Sequence, residues 1–177
     1  MKTVIDRANT RGHADYGWLN TWHTFSFADY YNPQRIHFGA LRVLNDDTVT
    51  PGMGFDTHPH KNMEVISIPL KGYLRHGDSL EHSEVISPGD IQVMIYHSEF
   101  NDSKTENLEF LQIWVIPRVN NTKPVYKSYD IRQVDMKNRF GYIVAPDGTA
   151  PGGILQDAWF ALGKLEKGKK IGYHLHQ

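Results

Sequence analysis

Cysteine is absent from this 177-residue sequence. Its absence excludes disulfides and thiolate metal sites, so any bound metal ion must rest on His, Asp and Glu. An excess of either charge is also missing, because the sequence has 19 Lys and Arg residues and 20 Asp and Glu residues, for a net charge of -1. We therefore expect no direct binding to nucleic acid and no attraction to an anionic membrane surface.

Long apolar runs are missing as well. No segment approaches the roughly 20 uninterrupted apolar residues that cross a bilayer, and residues 1–18 lack the apolar stretch of a signal peptide. We therefore expect a cytoplasmic protein. The chain does contain 40% hydrophobic residues, which is enough for a well-buried core, and ten histidines.

Short apolar runs between turn residues predict the fold class. No window keeps the 3.6-residue period of a long amphipathic helix, so we expect an all-β sandwich or barrel. The predicted strands are residues 24–27, 37–44, 64–70, 84–86, 91–94, 110–116, 142–145 and 158–165. The predicted turns are Asn45–Asp47, Pro51–Gly52, Lys71–Gly72, Pro88–Asp90 and Asp147–Gly148.

A change in composition predicts the domain organisation. Residues 118–124 carry two Asn residues, a Thr and a Pro directly after an apolar strand, which is typical of a linker. We place the first domain at residues 1–117, the linker at 118–124 and the start of a second domain at 125–177. The second segment is too short for an independent barrel, so we expect it to pack on the first domain or to begin another.

Two histidine-containing pairs indicate a metal site. Residues two apart in a strand project to the same face, so His58 can act with His60, and His97 with Glu99. Pro59 between the first pair fits an irregular or edge strand at a barrel mouth. If the two strands are neighbours, these four side chains form one cage around a single ion.

Three imidazoles and one carboxylate suit Fe(II), Mn(II), Ni(II), Cu(II) or Zn(II). An octahedral ion would keep two positions open for a substrate, dioxygen or water. A lone His-x-His pair often arises by chance, as surface or core histidines, but the second pair beyond a Pro-Gly-Asp turn and an apolar strand favours the metal.

Other polar and aromatic residues are weaker candidates. Glu64 is either an exposed strand residue or, as we expect, an acceptor for the second N–H of a ligating imidazole. His76 and His82 lie in a polar stretch that predicts a solvated hairpin turn, and we assign no metal to His174 and His176. One aromatic cluster is either core or the lining of a pocket for a flat ligand. It comprises Trp18, Trp22, Phe25, Phe27, Tyr30 and Tyr31.

The motifs taken together resemble the pirin family of cupins, from about Arg7 to Phe160. The matching segments are Gly17–Leu19, Trp22–Phe27, Leu41–Asp47, Thr57–His60, Met63–Glu64, His97–Glu99 and Leu111–Trp114. The resemblance implies two jelly-roll-like cupin barrels, with one metal ion, usually iron, in the N-terminal barrel only. The ligands of that family map onto His58, His60, His97 and Glu99.

The resemblance also implies two functions from different classes. Some bacterial pirins are quercetin 2,3-dioxygenases, so we expect an Fe(II)-dependent enzyme that takes a flavonol-like aromatic substrate and dioxygen. Glu99 would then be both a ligand and the acceptor of the substrate's hydroxyl proton. The human member is a nuclear co-regulator of transcription, so the alternative is a non-catalytic, metal-dependent, redox-sensing regulator with a protein partner.

Two features depart from the family pattern. Pirins usually carry a glycine-containing loop before the segment that matches Ile95–His97, whereas here Met94 runs directly into it. We expected a tight turn at this place, which Ile95 and Tyr96 cannot make, and hence a natural chain with a further loop. The resemblance implies that the second barrel is only beginning at Gln177, and a half-built barrel would expose strand edges. We therefore expect either a monomer whose C-terminal half lies outside this sequence or a homodimer that covers the edges.

Overall fold

A computed structural model describes residues 7–59, 62–77, 83–94, 96–120 and 126–173, without the side chains of residues 57–59, 96 and 97. The regular structure of these residues is β, apart from one short 3-10 helix at Ala8–Thr10. The all-β prediction is therefore confirmed. Within the same ranges, no helix has the length and apolar character needed to cross a membrane.

The strands are numbered in chain order. They are β1 (Gly12–Asp15), β2 (Leu19–His23), β3 (Leu41–Val49), β4 (Gly54–Pro59), β5 (Glu64–Lys71), β6 (Leu74–Gly77), β7 (Ser83–Ile86), β8 (Asp90–Met94), β9 (Tyr96–Asn101), β10 (Leu108–Val115), β11 (Tyr126–Asp130), β12 (Gly141–Ala145), β13 (Gly152–Gly153) and β14 (Phe160–Leu162). They form three sheets. The order is β1-β2-β3-β10-β5-β8-β11 in the seven-stranded sheet, β4-β9-β6-β7 in the four-stranded sheet and β13-β12-β14 in the small sheet.

The seven-stranded sheet buries both of its faces. One face packs the β-branched residues of β5, β8 and β10 against the small sheet and its neighbouring loops. The other face, which we call the inner face, packs Leu19, Val49 and Phe110 against Leu74 and Ile86 of the four-stranded sheet. Because each strand alternates its side chains between faces, both layers of core come from the same strands.

Most of the predicted strands are confirmed at least in part. Residues 64–70, 84–86, 91–94 and 142–145 lie in β5, β7, β8 and β12, and residues 110–115 lie in β10. The predictions 37–44 and 158–165 overlap β3 from residue 41 and β14 at 160–162. Residues 24–27 lie beyond the end of β2, so that prediction was wrong. The predicted turn Asn45–Asp47 was also wrong, because these residues pair with β2 and β10 in the middle of β3, where Asn45 and Asp47 are buried.

The segment after the predicted linker joins the first sheet. β11 pairs with β8 at the edge of the seven-stranded sheet, from Tyr126 opposite Met94 to Asp130 opposite Asp90. Residues 121–125 lie outside the described residues, and the boundaries at 117 and 124 stay a prediction.

The connection between β8 and β9 differs from the expected tight turn. β8 pairs with β5 and β11, whereas β9 pairs with β4 and β6 in the other sheet. The expectation of a hairpin was therefore wrong, since the chain passes from one sheet to the other between Met94 and Tyr96. Ile95 lies outside the described residues, and a longer natural loop stays a prediction.

Candidate metal centre

The two predicted ligand pairs lie on neighbouring strands. β4 and β9 are antiparallel, with His58 opposite His97 and Phe55 opposite Glu99, across an irregularity between these two pairs. Gly54 allows this approach, because a Cβ there would collide with the backbone of Glu99 and Phe100. His60 lies outside the described residues, and the side chains of His58 and His97 are not described. The four-residue ligand set stays a prediction.

Glu99 is held by two neutral donors from the opposite sheet. Its side chain is 1% exposed, the hydroxyl of Ser67 donates to Oε1, and the Nε2 amide of Gln112 donates to Oε2. These partners lie directly opposite each other on β5 and β10. The carboxylate is thus fixed in the space between the two sheets, on the same strand as position 97 and two residues from it.

A tryptophan determines how the amide of Gln112 is oriented. The indole Nε1 of Trp114 donates to Oε1 of Gln112 at 3.2 Å. An indole N–H can only donate, so the amide oxygen faces Trp114 and the amide nitrogen faces Glu99. This arrangement presents a donor to the carboxylate and stabilises its ionised form.

These donors belong to a polar row that crosses six strands of the seven-stranded sheet. Each member lies opposite the next in the strand register. The row runs through His23, Asn45, Gln112, Ser67, Gln92 and Ser128. At one end Nδ1 of His23 contacts Oδ1 of Asn45 at 3.0 Å, and at the other Nε2 of Gln92 donates to Ser128 at 3.0 Å. The inner face is therefore polar at this level and apolar at the level of Phe110.

His76 is buried, contrary to the prediction of a solvated turn. It is 0% exposed in β6 and lies opposite Glu99 in the register with β9. Its ring centroid is 5.0 Å from that of Tyr126. β6 has a partner strand on each side, which removes from water a stretch whose composition looks solvent-exposed. His82 lies outside the described residues, as do His174 and His176.

Asp47 is a second buried carboxylate on the inner face. Its pKa is raised from 3.8 to about 7, mainly by burial and to a smaller extent by the charges of Glu99 and Asp46. A hydrogen bond from the hydroxyl of Thr21 acts in the opposite direction and lowers the pKa. Asp47 is 2% exposed, so its ionised form is costly in the fold. The sequence signal for this residue was the alternation Val43, Asn45, Asp47, Val49.

A cavity of about 380 Å³ lies over the polar end of the row formed by His23, Asn45 and Gln112. Gln112 lines this cavity and also donates to Glu99, so a single side chain connects the cavity to the carboxylate. The aromatic residues that line the cavity are Tyr16, Trp18, Phe27, Phe55 and Trp114. The polar residues that line it are Thr21, His23, Asn45, Asp47 and Gln112. The volume lies in the range of small-molecule sites, about 300 to 1,000 Å³.

The predicted aromatic cluster divides between the two expected roles. Trp18 and Phe27 line the cavity, with Trp18 packed edge-on against Phe55 at 5.1 Å and Phe27 against Trp114 at 5.2 Å. Phe25 is buried outside this cavity, and Tyr31 is 74% exposed. A pocket lining and a core residue cannot be separated by residue type alone.

The hydrogen bonds described for Glu64 come from backbone amides and not from an imidazole. Its carboxylate accepts hydrogen bonds from the backbone N–H of Leu155 at 2.7 Å and of Gln156 at 3.0 Å. Burial raises the pKa of Glu64, and these two hydrogen bonds lower it. Glu64 therefore attaches the segment after β13 to the seven-stranded sheet.

The surroundings of Glu99 fit a metal ligand. Among the described side chains, no three His, Asp or Glu residues form a group that could hold an ion, since the predicted histidines fall outside that description. Glu99 itself has the features of a ligating carboxylate: burial, and an orientation fixed by neutral hydrogen-bond donors.

A profile of the Pirin family matches residues 4–115, which is more than half of the chain. The chain belongs to the pirin family. Positions 58, 60, 97 and 99 and the donors to Glu99 all lie inside the matched segment. The resemblance seen in the sequence motifs is therefore confirmed.

A relative of known name and a solved structure extend this comparison. The quercetin 2,3-dioxygenase of Escherichia coli K12 is 45% identical over 148 residues, which cover 81% of this chain and 63% of that protein. The crystal structure of YhhW from Escherichia coli matches with a TM-score of 0.80 and 41% identity, over 88% of this chain and 68% of the other.

A further structure, of bacterial pirin YhhW in complex with nickel(II), matches with a TM-score of 0.78 and 42% identity, over 85% of this chain and 66% of the other. The cupin fold of this pirin-family chain is thereby confirmed. The chain spans about two thirds of the length of these relatives.

Proposed function

We propose that this chain binds one divalent metal ion through His58, His60, His97 and Glu99 and acts with dioxygen on quercetin or a related flavonol. The name of the Escherichia coli relative supports the reaction, and the nickel(II) complex of bacterial pirin YhhW supports a divalent metal. Fe(II) is our proposed ion, although Mn, Ni, Cu and Zn suit the same donors. The cytoplasmic location and the state as monomer or homodimer stay predictions.

The observation that carries this proposal is the connection between Glu99 and the cavity. Gln112 donates to Glu99 with its amide nitrogen and lines the aromatic cavity of about 380 Å³. A flat aromatic ligand finds apolar walls there, and its polar atoms find the buried polar row.

The chain's own residues supply orientation and a proton acceptor. When bound, the metal ion would lower the cost of deprotonating a flavonol hydroxyl and would activate dioxygen. Among the contacts described above, each oxygen of Glu99 accepts one hydrogen bond. The carboxylate would take the hydroxyl proton while Ser67 and Gln112 keep it in place.

The alternative is the metal-dependent regulator with a protein partner. It remains a distinct hypothesis, because it requires metal binding and no turnover. A near-neutral net charge of -1 agrees with a protein partner better than with DNA. The cavity favours the enzyme, since a regulator has no use for an aromatic-walled cavity lined by the residue that donates to Glu99.

The test mixes Fe(II)-loaded protein with quercetin and oxygenated buffer. We expect flavonol absorbance to fall and carbon monoxide to be released. Glu99→Gln should remove this turnover, whereas Glu109→Gln, which changes an exposed carboxylate paired with Lys71, should keep it. A fully iron-loaded protein without turnover would remove the enzyme proposal and leave the regulator.

A further inference from the structure

Two residues that line the cavity each carry a buried hydrogen-bond acceptor without a partner in the described part of the chain. The acceptors are Oδ1 of Asp47 and Nε2 of His23, and each residue is 2% exposed. Buried polar atoms almost always have partners, because losing water without replacement costs about 1 to 3 kcal/mol per group. Two such atoms in one cavity indicate a ligand that supplies the missing donors.

The contacts of His23 establish that its free nitrogen is an acceptor. Nδ1 lies 3.0 Å from the amide oxygen of Asn45, which can only accept, so Nδ1 carries the proton. The hydroxyl of Thr21 donates to Asp47, and its oxygen lies 3.4 Å from the same Nδ1. Both contacts agree with an Nδ1–H tautomer. Nε2 of the neutral ring then has only a lone pair.

Asp47 presents the second acceptor. Thr21 satisfies one carboxylate oxygen, and Oδ1 is the oxygen without a partner. Asp47 lies opposite Thr21 in the register of β2 and β3, and His23 lies two residues further along the same face of β2. The two acceptors therefore come from neighbouring positions on one face of the seven-stranded sheet.

The walls of the cavity specify the rest of the ligand. Trp18, Phe27, Phe55 and Trp114 surround the space with ring surfaces, which favour a flat aromatic body. We propose that Asp47 and His23 form a subsite for an aromatic ring with two hydroxyl groups, each hydroxyl donating to one acceptor. The subsite deepens the function proposed above by naming the ring that the cavity selects, and it rests on that function for its biological role.

The test measures binding without turnover. Catechol carries two donors on one ring, and 1,2-dimethoxybenzene has the same ring without donors. Both are titrated by calorimetry at pH 8.5, where the carboxylate of Asp47 is ionised and can only accept. The titration uses the whole chain in EDTA, so that metal chelation by catechol makes no contribution, and is repeated with the metal-loaded chain. We expect catechol to bind at least about tenfold more tightly than the dimethyl ether.

Variants connect the binding to the two acceptors. Asp47→Asn keeps the shape but replaces the free acceptor by an amide donor, and His23→Phe keeps a ring without nitrogen. Each should weaken catechol binding about tenfold and leave the dimethyl ether unchanged. Asp46→Asn is the matched control, since its side chain is 40% exposed and follows the opposite face of β3.

Each outcome decides the proposal. Equal affinity for the two probes, or equal losses in Asp46→Asn and Asp47→Asn, overturns the subsite and leaves water as the partner of both acceptors. Should His23→Phe fail to fold, Asp47→Asn alone still decides. Catechol binding in a chain that does not turn over quercetin would retain the subsite and remove only the oxygenase proposal.

Discussion

Replacing Asp47 by Asn should stabilise the protein at neutral and alkaline pH. Burial raises the pKa of Asp47 from 3.8 to about 7, so the folded state holds its proton up to neutral pH. The unfolded chain loses this proton near pH 4. The contribution of Asp47 to the free energy of unfolding is therefore at its maximum below about pH 4 and is lost as the pH rises through 7.

The magnitude follows from the difference between the two pKa values. At about 1.4 kcal/mol per pKa unit, ionised Asp47 costs the fold on the order of 4 kcal/mol above pH 8. Asn has no charge to bury, and its amide oxygen can still accept from Thr21. The stability difference between Asp47→Asn and the parent chain should thus grow between pH 4.5 and pH 8.5.

Urea unfolding followed by tryptophan fluorescence measures this difference across the pH range, in EDTA for both proteins. Asp46→Asn is the control, because a partly exposed carboxylate should change stability by less than about 0.5 kcal/mol. The same stability difference at pH 5 and pH 8 would refute the reasoning, since it would mean that Asp47 does not titrate differently in the fold.

Two further substitutions test the contacts around the inner face. Gln112→Leu should weaken metal binding by about 10- to 100-fold in chelator competition, because the buried carboxylate loses its orienting donor, while exposed Gln133→Leu should not. Glu64→Gln should speed hydrogen exchange at the amides of residues 155 and 156 about tenfold, because one amide loses its acceptor, and Glu109→Gln should leave them unchanged.

Local patterns in the sequence were sufficient for the fold class and most strands. Apolar runs with flanking turn residues predicted β5, β8, β10 and β12, and positive φ angles at Gly52, Gly72, Gly89 and Gly148 confirm four of the five turns. These features are local, because a turn and the strand beside it depend on a few consecutive residues.

Local sequence patterns did not reveal which strands lie next to each other in the sheets. Asn45–Asp47 has the composition of a turn, and its burial follows from pairing with β2 and β10. His76 has the composition of a solvated hairpin, and its burial follows from pairing with β7 and β9. In both cases the burial depends on strands on either side, at least one of which lies about 20 residues or more away along the chain, so the composition of the segment does not reveal it.

The candidate site shows the same division. The spacing of His97 and Glu99 follows from strand geometry, whereas the donors to Glu99 come from β5 and β10 in the opposite sheet. Ser67 and Gln112 have no motif that links them to a ligand position. Their role follows from a register that places them opposite each other at the level of Glu99.

The most direct test of the account is the metal content of the chain with His58 intact and replaced. Native mass spectrometry after Fe(II) or Ni(II) loading should show one ion per parent chain and per His37→Ala chain, whose replaced histidine is exposed. His58→Ala should lose the ion at the same metal concentration. Equal metal occupancy in His58→Ala and His37→Ala would contradict a site built from β4 and β9.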